Sequence, residues 1–434
     1  MDGASPPVAP LGRAGQRVHY AWEVFAATLV ILLLAAGFRA SPAVLIDPLS
    51  EEFGWSRADI GLAVSVNVLL YGLMGPFAAA LLARFGIRRV VPCALVLVAL
   101  GSGLAALVET RWQLVLCWGV LVGIGTGCMA TVLAATVANR WFVARRGLVM
   151  GALTAASATG QVIFLQFFTQ LTDGPGWRWV PLVVSAAALM AAPIAVLVLR
   201  DKPEDVGLRA LGAPEGYATP QASKNPIRTA FAGLAFISRL GGFWLLFGGF
   251  LVCGVSTNGL IQTHFISAAH DHEISRPASA AMLSAIGLFD IVGTIASGWL
   301  TDRYDPRMLL GAYYALRGLS LLVLDSALAS GSLPLWAFIG FYGLDWVATV
   351  PPTVKLCAEV CGPEHATVAY GWVFAGHQIG AALAAWGAGY LRDQTGSYQL
   401  SFVIAGVLCL VAALGTQRVG RPTDLDADAA ALVA

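Results

Sequence analysis

The chain has 434 residues and a formal net charge of +1, with 58% hydrophobic and only 12% charged residues. Soluble domains carry roughly 25% charged residues, and their helices need a polar outer face, which segments such as 93–107 and 381–388 do not offer. Two or three soluble domains are thereby excluded, and no nucleic-acid partner is expected.

The first 19 residues, rich in Pro, Gly and Ala, read as a flexible tail. No small-residue cleavage site follows a short apolar core, so the next segment is expected to be kept as a helix, not removed as a signal. A hydrocarbon core about 30 Å thick needs roughly 20 apolar residues of helix. Such stretches lie near 20–42, 57–82, 90–108, 113–138, 148–171 and 179–199. Residues 200–239 form a central basic loop, and six more stretches follow near 240–266, 278–300, 308–329, 334–357, 367–391 and 399–418. Residues 419–434, with an acidic run from Asp424 to Asp428, read as a second tail. The expected fold is an all-α membrane protein: twelve transmembrane helices in two six-helix bundles, 20–199 and 240–418.

Lysine and arginine near span ends are retained on the cytoplasmic side. With the amino terminus inside, only Arg57, Arg111, Arg178, Arg276 and Arg392 fall in outer loops, while Arg39, Arg317 and Lys355 fall within spans. All other basic residues are then inner, and both termini are expected to be cytoplasmic, in the cell inner membrane.

Cys93, Cys117, Cys128, Cys253 and Cys409 sit inside apolar spans without CxxC spacing, as small packing residues do. Gly119, Gly123 and Gly127 recur every fourth residue, which allows close helix contact; no phosphate-loop lysine accompanies them. No GxSxG, HExxH or paired catalytic constellation appears, so an enzyme is not expected. His270, Asp271 and His272 lie six residues beyond His264 with no second ligand group, and neither a metal nor a cofactor is expected.

The turn between the second and third spans reads Ala83-Arg84-Phe85-Gly86-Ile87-Arg88-Arg89, and that between the eighth and ninth runs from Gly298 through Asp302 and Arg303 to Arg307. Equivalent positions of the two halves carry the same tight basic turn, an internal repeat suited to halves that rock about a central site. The turns resemble the inner-loop signature GxxxDRxGRR of the major facilitator superfamily. Gly298, Asp302 and Arg303 match it; in the first half Gly75 lies too far upstream and Ala83 stands where the aspartate belongs. The resemblance implies the major facilitator fold and an inner-loop latch of Arg84, Arg88, Asp302 and Arg303, with Asp302 the stronger anchor. The plain alternative is that these arginines only mark inner loops.

The stretch Gly37-Phe38-Arg39-Ala40-Ser41-Pro42, the segment Glu52 to Arg57 and the segment Leu283 to Ile291 are similar to the monocarboxylate transporter group and its bacterial relatives. The run Arg200 to Gly207 is common among the bacterial ones. In that group a first-span lysine and an eighth-span aspartate–arginine pair handle the anion and the proton. Arg39 stands where the lysine belongs and Asp290 matches the aspartate, but Thr294 occupies the arginine's place. The resemblance thus implies Arg39 as anion ligand and Asp290 as the proton-coupling group.

A charge at the bilayer centre is costly and is paired or lines a watery path. Arg39 either meets a carboxylate, which its guanidinium fits in bidentate fashion, or snorkels outward. Asp290 either takes up a proton or forms a fixed ion pair. Arg317 and Asp345 form a second candidate pair; Arg317 is expected in an inter-helix salt bridge and Asp345 rather in the cavity, next to a bend at Pro351-Pro352. Asn258 and Gln262, four apart, share a helix face and with His264 read a ligand or pack helices. His377 binds substrate, relays a proton or packs.

The reading is a secondary transporter working by alternating access, taking up a small organic anion such as a monocarboxylate with a proton. Arg39, Asn258, Gln262, His377 and Asp345 would form the substrate site and Asp290 would couple the proton. Its partners are the bilayer, substrate and protons, and nothing requires more than a monomer. With 13 tryptophans, a flat aromatic or hydrophobic cargo (vitamin uptake or drug export) is the alternative. A membrane receptor that moves nothing is a more distant one.

Overall fold

Apolar helices long enough to cross a bilayer make up most of the chain in a computed structural model, which describes residues 19–143, 145–214, 226–330, 332–362 and 365–420. Residues 1–18 and 421–434, with Arg13, Arg17 and the acidic run, and Lys224 of the central loop lie outside the described residues. The first bundle comprises α1 (Tyr20–Phe53), α2 (Arg57–Phe85), α3 (Ile87–Ala105), α4 (Arg111–Trp141), α5 (Arg146–Asp173) and α6 (Trp179–Val198). The second comprises α7 (Gly241–Asp271), α8 (Arg276–Thr301), α9 (Pro306–Ser330), α10 (Leu333–Cys361), α11 (Ala366–Thr395) and α12 (Gln399–Thr416). Ten contain stretches both long and apolar enough to span a membrane; α5 and α11, at 28 and 30 residues, have the length.

Two elements differ from the sequence reading. The first span was expected to end at Pro42, yet α1 continues to Phe53. Proline leaves the carbonyl four residues back without its donor, and the Ser41 hydroxyl fills that place, donating to Phe38 O at 2.8 Å. The 200–239 connection is also not simply a loop: it holds a 3-10 turn, Pro203–Val206, and a helix, Pro226–Ile237. That helix lies against α2 and α11.

The repeat seen in the loops extends to the packing. In the first bundle α1 packs on α5, α2 on α4 and α3 on α6; in the second α7 packs on α11, α8 on α10 and α9 on α12. Gly119, Gly123 and Gly127 bring α4 onto α2, where added Cβ atoms would stand 3.1, 3.0 and 2.6 Å from Ala63, Asn67 and Met74. The halves meet through α2 with α11, α5 with α8 and α1 with α7.

The polar bonds that join the halves cluster between their middle and the face opposite the basic turns. Ser65 donates to Ala382 O at 2.6 Å and Gln166 Nε2 to Ser284 Oγ at 3.0 Å. Gly72 still touches Gln378, but a Cβ added one turn on, at Gly75, would meet nothing within 4 Å. The bonds that hold the halves together thus lie from their middle to the far face.

Candidate functional site

Beside the contact of α2 with α11, a cavity opens with about 440 Å³ of empty space, counting its mouth. Its polar lining is Arg39 from α1, Asn67 and Tyr71 from α2, Asn258, Gln262 and Thr263 from α7, and Gln378 from α11. Phe38, Val64 and Val68 supply apolar wall. The Arg39 guanidinium carbon lies 5.7 Å from the Tyr71 ring centre. Among the described residues no carboxylate pairs with it. It is the only charged side chain among the described lining residues.

A widened, π-helical stretch at Val255–Ile261 shapes the α7 wall. Such bulges break the regular ladder and re-aim side chains, often at functional sites. Here the Thr263 hydroxyl donates to Asn258 O at 2.8 Å, and both Asn258 and Gln262 line the cavity.

Other expected site residues stand elsewhere. Asp345 was expected in the cavity; instead it is 5% exposed and takes a 2.7 Å bond from Arg317 Nε, while Arg317 is wholly buried. The physical reason is mutual: neither charge is tolerable alone in a dry bundle. His377, also expected there, lies behind the wall, its Nε2 3.4 Å from Thr257 Oγ1 and its ring stacked on Phe374 at 5.8 Å. Its neighbour Gln378 takes the wall position. His264 is fully buried between Tyr398 Oη (3.2 Å) and Ala385 O (2.8 Å), so it packs helices and reads no ligand.

Asp290 serves a break in α10. Residues 346–349 leave the helix, about one turn before the expected bend, and Pro351 and Pro352 sit in the first turn of the piece that follows. The freed backbone groups find side chains: Val347 N donates to Asp290 Oδ1 at 2.9 Å, and Ser297 Oγ donates to Ala348 O at 2.5 Å. Arg317 Nη2 donates to Asp345 O and Trp346 O at 2.5 and 3.1 Å. Thr294, in place of the expected arginine, donates to Asp290 Oδ1 at 2.9 Å.

On the basic face the four expected latch residues are apart. Arg84 and Arg303 lie over Phe85 and Trp299, Arg88 bonds Val196 O, and Asp302 is exposed at the end of α8. The aspartate missing at position 83 has a substitute from after α6: Asp201 accepts the Arg88 backbone N–H at 3.1 Å, where a Cβ on Gly86 would collide with it. In the second half Arg307 does the corresponding work, bonding Glu359 (3.1 Å) and Val419 O (2.9 Å).

The far face carries a charged layer that sequence reasoning missed. Asp47 of α1 accepts from Ser267 of α7 at 2.7 Å and from Arg57 of α2 at 3.3 Å. Arg57 also reaches Asp271 (3.5 Å), which Arg392 holds at 2.6 Å, and Arg276 pairs with Glu51. Asp393 of α11 accepts the first two backbone N–H groups of α2, from Arg57 (3.2 Å) and Ala58 (2.9 Å), so one half caps a helix of the other. The one signal in the sequence was that the outer arginines stand near acidic residues. Asp393→Ala removes an exposed helix cap worth about 0.5–2 kcal/mol. Spin-label distances between the far ends of α2 and α11 should show a several-fold larger separated population; an unchanged distribution would deny this layer a gating role. Among the described residues no three His, Cys, Asp or Glu side chains are grouped to hold a metal.

The family model described as Major Facilitator Superfamily matches residues 27–265 and 256–426. Over 394 residues the chain is 28% identical to monocarboxylate transporter 13 of Rattus norvegicus, covering 90% of this chain and 87% of that one. It is 25% identical over 387 residues to the uncharacterized MFS-type transporter YcxA of Bacillus subtilis (strain 168), covering 87% and 90%. In three dimensions it resembles a bacterial homolog of the human lysosomal transporter Spinster in an inward-facing conformation (TM-score 0.69, 18% identity, 92% and 96% covered). It also resembles a D-xylose-proton symporter (TM-score 0.70, 16% identity, 93% and 99% covered).

Proposed function

Because the chain belongs to the Major Facilitator Superfamily, a family of multi-pass membrane transporters and not of enzymes, we propose that it takes up a small monocarboxylate together with a proton. The observation that carries this reading is the Arg39 guanidinium, which lines the cavity between the halves with no acidic partner among the described residues. A half-buried cation within a membrane-spanning bundle costs free energy, and an anionic ligand relieves that cost. A carboxylate also matches the fork of guanidinium donors. Asn258 and Gln262 then supply uncharged bonds to the rest of the ligand. A relative at 28% identity named monocarboxylate transporter 13 supports the same ligand class.

Asp290 takes the proton in this reading. With Thr294 where an arginine would stand, Asp290 binds a hydroxyl and a backbone N–H, both of which a protonated carboxyl can still accept. Its charge state thereby acts on the broken stretch of α10. In this reading the basic face is cytoplasmic, in the cell inner membrane, and the charged layer that joins the halves seals the outer side. Arg84, Arg88, Asp302 and Arg303 come together only when that face closes. Asp345 and His377 support the second bundle from behind the site.

The test is uptake into proteoliposomes of labelled short carboxylates, with and without an acid-outside pH gradient. Aromatic acids belong in the panel, because Phe38 and Tyr71 pack 6.1 Å apart beside Arg39. Accumulation of a carboxylate that requires the gradient is the expected result; no carboxylate uptake would end this reading. Asp290→Asn should lose gradient-driven accumulation by about tenfold or more while exchange of internal for external substrate continues. Gradient-driven uptake at the wild-type rate in that variant would remove Asp290 from coupling.

A further inference from the structure

The helix of the central connection, Pro226–Ile237, has two unlike faces. One is docked on the second bundle. Ile237 is wholly buried, a Cβ on Gly233 would stand 2.7 Å from Val368 Cγ1, and Trp372 Nε1 donates to Ala230 O at 3.1 Å. The other face is open: Arg228, Phe231, Ala232, Ala235, Phe236 and, just beyond the helix, Arg239 are exposed at helical spacing. Phe231 and Phe236 remain 49% and 44% exposed although each has a ring beside it, Trp372 and His365 respectively. The charged residues between 216 and 240 are Lys224, Arg228 and Arg239, all cationic. The helix end is tied to the start of α7, where the half-exposed Trp244 donates from Nε1 to Ser238 O at 2.8 Å. Exposed tryptophans at span ends mark the headgroup level of a bilayer, so the open face sits at that level.

We propose that this helix is an in-plane anchor for anionic phospholipid, in the leaflet on the side of the basic turns. Phe231 and Phe236 enter the boundary between headgroups and acyl chains, as the apolar face of an interfacial helix does. Arg228 and Arg239 stand at opposite ends of the stripe, and their long stems let each guanidinium reach a lipid phosphate. Cations beside a span draw anionic lipid in preference to zwitterionic lipid. The face has no acidic residue to offset them between 216 and 240. Because the helix lies against both α2 and α11, the lipid-held segment bears on both halves. This anchoring is independent of what the transporter carries.

A spin label on Ala232→Cys reports where the open face lies, in a Cys93→Ser background because Cys93 is the exposed native cysteine. The full-length protein is placed in nanodiscs of phosphatidylcholine and phosphatidylglycerol. Oxygen should relax the label several-fold more than a water-soluble nickel chelate does. Preferential relaxation by nickel would place the face in water, and protection from both reagents would place it under protein; either overturns the proposal. Lipid charge is tested by thermal stabilisation of unlabelled protein in detergent with short-chain phosphatidylglycerol or phosphatidylcholine. Wild type should reach half-stabilisation at a several-fold lower concentration of the anionic lipid. An arginine near an anionic surface contributes about a fivefold factor. Arg228→Gln and Arg239→Gln should therefore each raise the half-point for phosphatidylglycerol about fivefold and leave that for phosphatidylcholine unchanged. Equal responses of wild type to both lipids, or an unchanged phosphatidylglycerol response in the double variant, also overturn it. The wild-type lipid comparison needs no variant to fold.

Discussion

Arg39→Gln is expected to abolish carboxylate uptake, lowering kcat/KM by about a hundredfold or more, and to leave the folded protein intact. A charge-assisted bond contributes about 1.5–3 kcal/mol, and a bidentate pair places two such bonds on one carboxylate. Losing about 2.7 kcal/mol of binding corresponds to roughly a hundredfold. The fold should survive because no carboxylate among the described residues depends on Arg39; its removal strands nothing and relieves a desolvation cost. Arg39→Lys should retain part of the activity, since an ammonium keeps the charge and loses the fork. Uptake assays beside melting curves check both halves of the expectation. Wild-type uptake in Arg39→Gln would sink the assignment.

The second large effect falls on stability. Arg317→Met should destabilise the protein by about 3–5 kcal/mol, the cost of leaving a buried charge without its partner. Arg317 does more than neutralise Asp345: it also bonds two carbonyls of the broken α10 and Cys253 Sγ at 3.0 Å. A double variant, Arg317→Met with Asp345→Leu, should therefore regain only part of the loss, because the carbonyls of Asp345 and Trp346 stay bare. Thermal unfolding of the two single variants and the double variant, read as a cycle, measures the shortfall. Single variants within 1 kcal/mol of wild type would show that the pair does not hold the second bundle together.

Much of the fold was legible because hydrocarbon imposes one rule, internal satisfaction of every backbone group, and apolar runs of helical length announce it. The cavity was partly legible for a related reason. A lone charge or paired amides inside an apolar span are too costly to be casual, and Arg39, Asn258 and Gln262 do stand together. Asp345 and His377 misled because the same argument cannot tell a charge facing a cavity from one facing a partner helix. The far-face layer was hidden differently. Asp47, Arg57, Asp271 and Asp393 come from four chain regions, and only the docking of the halves gives them partners. Asp201 taught the same lesson, replacing a missing aspartate from more than a hundred residues along the chain.

The cross-half cap of α2 by Asp393 bears on how cheaply the two halves can change places. A seal of interlocked apolar side chains must expose oily surface to open, and that cost rises with every square ångström. Most of the bonds in this seal are of the kind water can replace one for one: carboxylate to amide, guanidinium to carboxylate, hydroxyl to carboxylate. Solvent entering the far face therefore takes over each partner as it is released. The polar share of the opening cost is thereby lowered, which leaves less for a bound ligand to supply in shifting the halves.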